Sequence, residues 1–204
     1  MVRAVGSPAE EHGGVDTLIT SAGTVRPGHF QELDTAFFRD AMEVNYFGTL
    51  YAVQAVVPGM LDRGAGTLAC ISSAAGLYGP FGYTAYAPTK FAVRGLCESL
   101  RMELRPYGIQ VSGICPADVD TPQLAMEKPF KPAELAALGE TVKPSDARSA
   151  ALEIVKGIEA GRPVIVPGTA NRAVALLART TPGLAHAHAD HGVARSRRRG
   201  SPRP

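Results

Sequence analysis

Short, continuously apolar runs alternate along this chain with longer stretches in which apolar residues recur at helical spacing. Residues 16–20 (Asp-Thr-Leu-Ile-Thr) form an apolar run ending in Ser-Ala-Gly and predict a buried strand. Asp34 stands where it can cap a helix running to about Leu61, with Phe37, Met42, Val44 and Ala52 among its apolar positions. Gly64-Ala65-Gly66 breaks the chain, and residues 67–71 predict a second buried strand. A Gly/Ser-rich loop covers 72–82, and a second long helix is expected over 83–105, ending before Pro106. Residues 109–115 read as a third strand, stopped by Pro116, and 117–142 as a mixed segment with several prolines. Pro144 and Ser145 announce a helix to about Ala160, and 163–166 a fourth strand. Strands that are apolar throughout and separated by helices predict an α/β fold with a doubly wound parallel sheet covered on both faces.

Composition narrows the class. A chain of 204 residues with 45% hydrophobic and 20% charged residues suits one soluble domain with a real core. The folded body is expected over 1–184. Residues 185–204 are rich in Ala, His, Arg, Gly and Pro and are expected to form a disordered basic tail. The net charge of +2 is too small to suggest a nucleic-acid partner, and Arg195, Arg197, Arg198, Arg199 and Arg203 supply it. Cys70, Cys97 and Cys115 are far apart in apolar surroundings, so no disulfide framework or metal spacing is expected, and His186, His188, Asp190 and His191 read as fortuitous in a tail. No secretory leader and no membrane span are expected; the nearest apolar stretch, 173–178, is cut short by Arg179 and Pro182. The expected location is the cytoplasm.

The chemistry concentrates in Ser73, Tyr86 and Lys90. Tyr86 and Lys90 lie four residues apart near a helix start and share one face. A phenol is a weak acid with an ordinary pKa of about 10. A neighbouring ammonium stabilises the phenolate, which lets a tyrosine exchange protons nearer neutral pH. Ser73, at the end of a strand, can donate to a carbonyl oxygen as charge develops there. A Tyr-x-x-x-Lys spacing alone also occurs as a surface pair. Here it follows a strand ending Ile71-Ser-Ser-Ala-Ala-Gly76 and sits within Phe81-Gly-Tyr-Thr-Ala-Tyr86-Ala-Pro-Thr-Lys90-Phe-Ala-Val-Arg.

In these motifs, over roughly residues 15–168, the chain resembles the short-chain dehydrogenase/reductase family. The resemblance implies a Rossmann-like fold and an NAD(P)(H)-dependent oxidoreductase of the ketone/alcohol type, with NADP as the cofactor and NAD as the alternative. It assigns Tyr86 as general acid/base, Lys90 as the residue that lowers its pKa and binds the nicotinamide ribose, and Ser73 as the group polarising the substrate oxygen. Asn45, in Glu43-Val-Asn-Tyr-Phe-Gly-Thr49, would hold a water in a proton relay to Lys90; read alone, it is equally a mid-helix polar residue with a local bond. Ala22 and Gly23 would lie beside the cofactor, as would Pro116. Val119 would meet the carboxamide through its backbone, and Thr121 would lie near the phosphates or carboxamide. Tyr83 lacks a lysine four residues on and is expected to line the substrate pocket or pack nearby. The wording Asp118-Val-Asp-Thr-Pro122, Phe81-Gly-Tyr-Thr-Ala-Tyr86 and Met102-Glu-Leu-Arg-Pro-Tyr107 is similar to the 3-ketodihydrosphingosine reductase branch. That branch implies a 3-keto sphingoid base or similar long-chain ketone as substrate. Resemblance further implies a homo-dimer or tetramer through the two long helices, and a substrate lid over 117–142.

Two features depart from the family. No Thr-Gly-x-x-x-Gly-x-Gly follows a strand: Gly6, Gly13 and Gly14 have another spacing. The chain thus reads as N-terminally truncated relative to the family, lacking the first βαβ units, so that its first strand becomes an exposed edge. And Thr20-Ser-Ala-Gly23 stands where the family often has Asn-Asn-Ala-Gly. A start placed too late, a decayed fragment and a genuine short form are the competing explanations. The alternative function is a catalytically silent fragment or helix-mediated interaction protein.

Overall fold

The computed structural model describes residues 13–137 and 143–198. Four parallel strands, β1 (Thr17–Thr20), β2 (Gly66–Ile71), β3 (Ile109–Ile114) and β4 (Val164–Ile165), lie in the order β1-β2-β3-β4. Successive side chains on a strand point to opposite faces, and both faces are apolar here. Leu68, Cys70, Ile109 and Val111 pack against Val53, Val56 and Met60 of one helix and Val93, Cys97 and Leu104 of another. On the reverse face Ala69, Ile114 and Ile165 meet Ile154 and Ile158. This is the doubly wound arrangement that the alternation of runs predicts.

The strand at 17–20 is the exposed edge that the comparison with the family predicts, not the buried strand that its apolar run alone suggests. β1 pairs with β2 alone among the described residues, and Ile19 is 52% exposed. An edge strand in a parallel sheet has the same apolar sequence as a central one, so the pattern does not reveal its position.

The first long helix has a joint. Asp34 caps α1 (Thr35–Met42) by accepting from the Ala36 N–H at 2.9 Å, as predicted. A π-helical turn, Glu43–Phe47, then leads into α2 (Gly48–Arg63), which ends at Gly64 in the left-handed region (φ 64°). The second long helix, α3 (Ala87–Leu104), begins four residues later than predicted, because Gly82 (φ 78°) and a turn from Tyr83 to Tyr86 precede it. Pro88, at the helix start, needs no intrahelical N–H partner.

The mixed segment holds α4 (Pro122–Glu127), a 3-10 turn at Lys128–Phe130 and α5 (Ala133–Ala137); the end of the expected lid, including Gly139, lies outside the described residues. Asp146 caps α6 (Ala147–Glu159), and α7 (Thr169–Thr180) follows β4. The expectation of disorder from 185 is corrected: α8 (Pro182–Arg198) is helical and packs on α5 and α7, while 199–204 lie outside the described residues. Alanine and arginine are strong helix formers, and docking on α5 supplies the tertiary support that a polar helix lacks alone. No helix among the described residues is long and apolar enough to cross a membrane.

Candidate active site

The parallel strands all end on one side of the sheet, and the segments leaving those ends carry the residues singled out above. Ala22 and Gly23 follow β1, Ser73 follows β2, and Pro116, Val119 and Thr121 follow β3. The segments are tied together by backbone: Ala74 N–H donates to Pro116 O at 2.7 Å, and Ser72 N–H to Ile114 O at 2.7 Å.

Tyr86 is the N-cap of α3, and Lys90 occupies its first turn, with the Lys90 N–H bonded to Tyr86 O at 3.3 Å. One face is therefore shared, as the spacing predicts. The Lys90 ammonium lies 5.5 Å from the Tyr86 ring centroid and donates to Ile71 O at 3.1 Å. The Ser73 hydroxyl stands close enough to the Tyr86 hydroxyl to act on its acidity, and its Oγ accepts from Ala75 N–H at 3.1 Å, which fixes its position. Ser73, Tyr86 and Lys90 thus come together.

Burial sets the electrostatics. The Tyr86 hydroxyl is pushed up to about 12, chiefly by burial; the neighbouring Ser73 hydroxyl pulls it down, and the charges of Glu127 and Asp118 push it further up. The lowering expected from Lys90 does not set the direction here: burial raises the hydroxyl instead. Lys90 itself is brought down to about 8 by burial.

Asn45 lies in the π turn and is fully buried. Its Oδ1 accepts from Thr24 N–H at 2.8 Å, and its Nδ2 donates to Thr24 O at 3.0 Å and to Thr89 Oγ1 at 2.9 Å. The side chain therefore latches the loop after β1 onto the start of α3. Gly23 lets that latch close: a Cβ there would stand 3.1 Å from Asn45 Oδ1 and 3.5 Å from Lys90 Nζ. Thr121 caps α4, accepting from Leu124 N–H at 3.5 Å, and its hydroxyl donates to Val119 O at 3.3 Å. Val119 bridges to Ser145, whose backbone bonds flank it on both sides.

Several supporting residues carry no signal strong enough to single them out from sequence. Thr89, inside the Tyr-x-x-x-Lys spacing, bonds Asn45 and Tyr86 O. Ser72 Oγ donates to Lys90 O at 2.7 Å. Buried Asn171 donates to Cys115 O at 3.0 Å and Pro167 O at 3.2 Å, holding the loop after β3. Tyr83 donates to Glu127 Oε2 at 3.1 Å, so it faces the site and is held there.

The groups around Lys90 suit a nicotinamide ribose. Lys90 uses one N–H on Ile71 O, which leaves ammonium protons for hydroxyl acceptors. The bare backbone at Gly23 beside Lys90 allows close approach. The residues present fit that half of the cofactor.

A family model for short chain dehydrogenase matches residues 1–131. Over 147 residues the chain is 45% identical to a 3-dehydrosphinganine reductase of Danio rerio, and 43% identical to a 3-ketodihydrosphingosine reductase of Mus musculus. Each match covers 72% of this chain and 44% of the relative, so the chain spans less than half the length of these curated relatives. A solved short chain dehydrogenase from Burkholderia cenocepacia, in complex with NADP, has the same fold, with TM-score 0.77 at 24% identity over 93% of this chain and 74% of that one. A second, from Streptomyces avermitilis, gives TM-score 0.73 at 25% identity over 95% of this chain and 75% of that one.

Proposed function

We propose that this chain, which belongs to the short-chain dehydrogenase family, supplies the catalytic residues of an NADP(H)-dependent reductase acting on a 3-keto sphingoid base or similar long-chain ketone. The observation that carries this reading is the cluster of Ser73, Tyr86 and buried Lys90, with the Ser73 hydroxyl acting on the Tyr86 hydroxyl and the Lys90 ammonium 5.5 Å from the Tyr86 ring centroid.

When bound, the nicotinamide supplies the hydride that adds to the carbonyl carbon. Tyr86 gives its phenolic proton to the carbonyl oxygen, and Ser73 donates a hydrogen bond to the same oxygen as charge grows on it. A hydroxyl held up to about 12 is protonated at neutral pH, which suits the reducing direction. Lys90, charged below about pH 8, stands where it stabilises the phenolate left behind and holds the ribose hydroxyls. Asn45 Oδ1 retains a lone pair near Lys90, the place for a relayed water. Ala22, Gly23, Pro116, Val119 and Thr121 border the cofactor in this reading. The substrate follows from the two sphingoid-base reductases named above, and NADPH from the NADP complex of the Burkholderia neighbour. A homo-oligomer in the cytoplasm completes the proposal; reducing conditions there suit three free cysteines.

The test is fluorescence titration of the purified chain with NADPH and NADH, followed by turnover of 3-ketosphinganine. Saturable NADPH binding and turnover that falls about 10²–10⁴-fold in Tyr86→Phe are expected. No binding by the folded chain overturns the reading for the chain as it stands.

A further inference from the structure

Above Tyr86, the segment after β3 presents charge that a plain ketone reductase does not need. Glu127, at the end of α4, is half-buried and accepts from Tyr83, whose ring centroid lies 6.0 Å from that of Tyr86. Asp118 lies in the same segment. Both carboxylates act on Tyr86 and Tyr83 through space. During reduction, negative charge develops on the carbonyl oxygen and then on the Tyr86 oxygen. Facing carboxylates oppose both.

The groups around them leave one negative charge in excess. Lys131 donates to Asp118 Oδ2 at 3.1 Å and also attracts Glu127. Tyr78 and Tyr83 are held neutral by burial and by these same carboxylates, and Gln123 beside Glu127 adds no charge. Lys90 lies on the other side, against the Tyr86 ring and Ile71 O. Two carboxylates and one ammonium thus line this side of the site. Burial also pushes the Glu127 carboxyl up, a cost that a cation placed beside it would offset.

From this juxtaposition we propose that Glu127, seconded by Asp118, is a specificity-determining residue that binds a substrate ammonium on the carbon next to the reacting carbonyl. The inference rests on the reading of Tyr86 as the proton donor to that carbonyl. It selects, within the proposed substrates, the 2-amino ketone over the neutral long-chain ketone. The ammonium answers the excess charge, and its own positive field favours the oxyanion forming next to it. Glu127 is partly desolvated, so the pair is stronger than one on an open surface.

Isothermal titration calorimetry with 2-aminodecan-3-ol and decan-3-ol, in the presence of NADP, reads this without relying on turnover. Wild-type chain is expected to bind the amine about tenfold more tightly than the alcohol, an advantage of about 1.4 kcal/mol. Glu127→Gln keeps an oxygen for the Tyr83 hydroxyl, so its thermal melt should be unchanged, and the advantage should fall to within about threefold. Asp118→Asn should lower it less. Raising the salt concentration should shrink the advantage in the wild type, a readout that needs no variant. Equal affinity for the two compounds in the wild type, or an advantage that survives in Glu127→Gln, overturns the proposal. Turnover of 2-aminodecan-3-one and decan-3-one with NADPH judges the reductase reading separately: if neither is reduced, that reading fails, while the calorimetry still decides the ammonium site.

Discussion

Lys90 is the residue at which function and stability conflict. Its side chain is 4% exposed, and burial holds its ammonium down to about 8 from an ordinary 10.5. Between those values the unfolded chain binds a proton that the folded chain has lost. Stability from this group therefore rises with pH from about 8 to 10.5, and below about 8 the buried charge costs the fold its full amount. Tyr86 acts oppositely at higher pH: the folded chain keeps its proton up to about 12, and stability falls from about 10 upward. Lys90→Met should abolish reduction while raising unfolding free energy at neutral pH by about 1–2 kcal/mol, after the loss of the bond to Ile71 O. The gain should shrink as pH rises from 8 towards 10. Chemical denaturation of both forms across that range checks it; a variant less stable than wild type at neutral pH would show that the Ile71 bond outweighs the buried charge.

At the scale of elements, the start of α3 is fixed by close backbone approach as much as by hydrogen bonds. The 3-10 turn Ala74–Gly76 passes directly over it: a Cβ on Gly76 would meet Ser72 Oγ and come within 2.7 Å of Lys90 O. Backbone does not yield as a flexible side chain does. Gly76→Ala should therefore cost about 1–3 kcal/mol and displace Lys90, weakening NADPH binding along with stability. A variant with unchanged melt and unchanged affinity would refute this. Such contacts mark the boundary of what the sequence makes legible. The strands were readable because both faces of a parallel sheet must be apolar, and Ser73, Tyr86 and Lys90 because a motif of known wording surrounds them. The π turn at Glu43–Phe47 was not, since a one-residue widening leaves the apolar spacing of 34–61 nearly intact. Nor was the work of Asn45 amide groups on Thr24 and Thr89, which depends on bringing together residues 21 and 44 positions away. Glu127 and Asp118 stood in a segment without periodicity, so nothing tied them to Tyr86 before the fold did.

At the scale of the molecule, the C-terminal helix joins the substrate side of the site to the body. α8 packs on α5, and α5 follows the turn that carries Lys131, the partner of Asp118. Pro132 and Leu135 in turn lie against Gly82, immediately before Tyr83: a Cβ on Gly82 would stand 3.1 Å from Pro132 and 3.5 Å from Leu135. Support therefore runs from α8 through α5 to the Tyr83–Glu127 pair, while Asn45, Lys90 and Gly23 are held by the sheet and the long helices. Removing residues 182–204 should loosen one set and spare the other. Amide exchange over 131–137 should speed up by about tenfold or more, since the segment loses a packing partner and keeps few others. NADPH affinity should change by less than about twofold, the range left when the packing of the remote contact is independent of the site. Exchange mass spectrometry on the full and shortened chains, with an NADPH titration beside it, reads both. Unchanged protection of 131–137 would mean that α8 rides on the surface without supporting it, and equal losses of protection and affinity would mean that the two halves of the site are one cooperative unit.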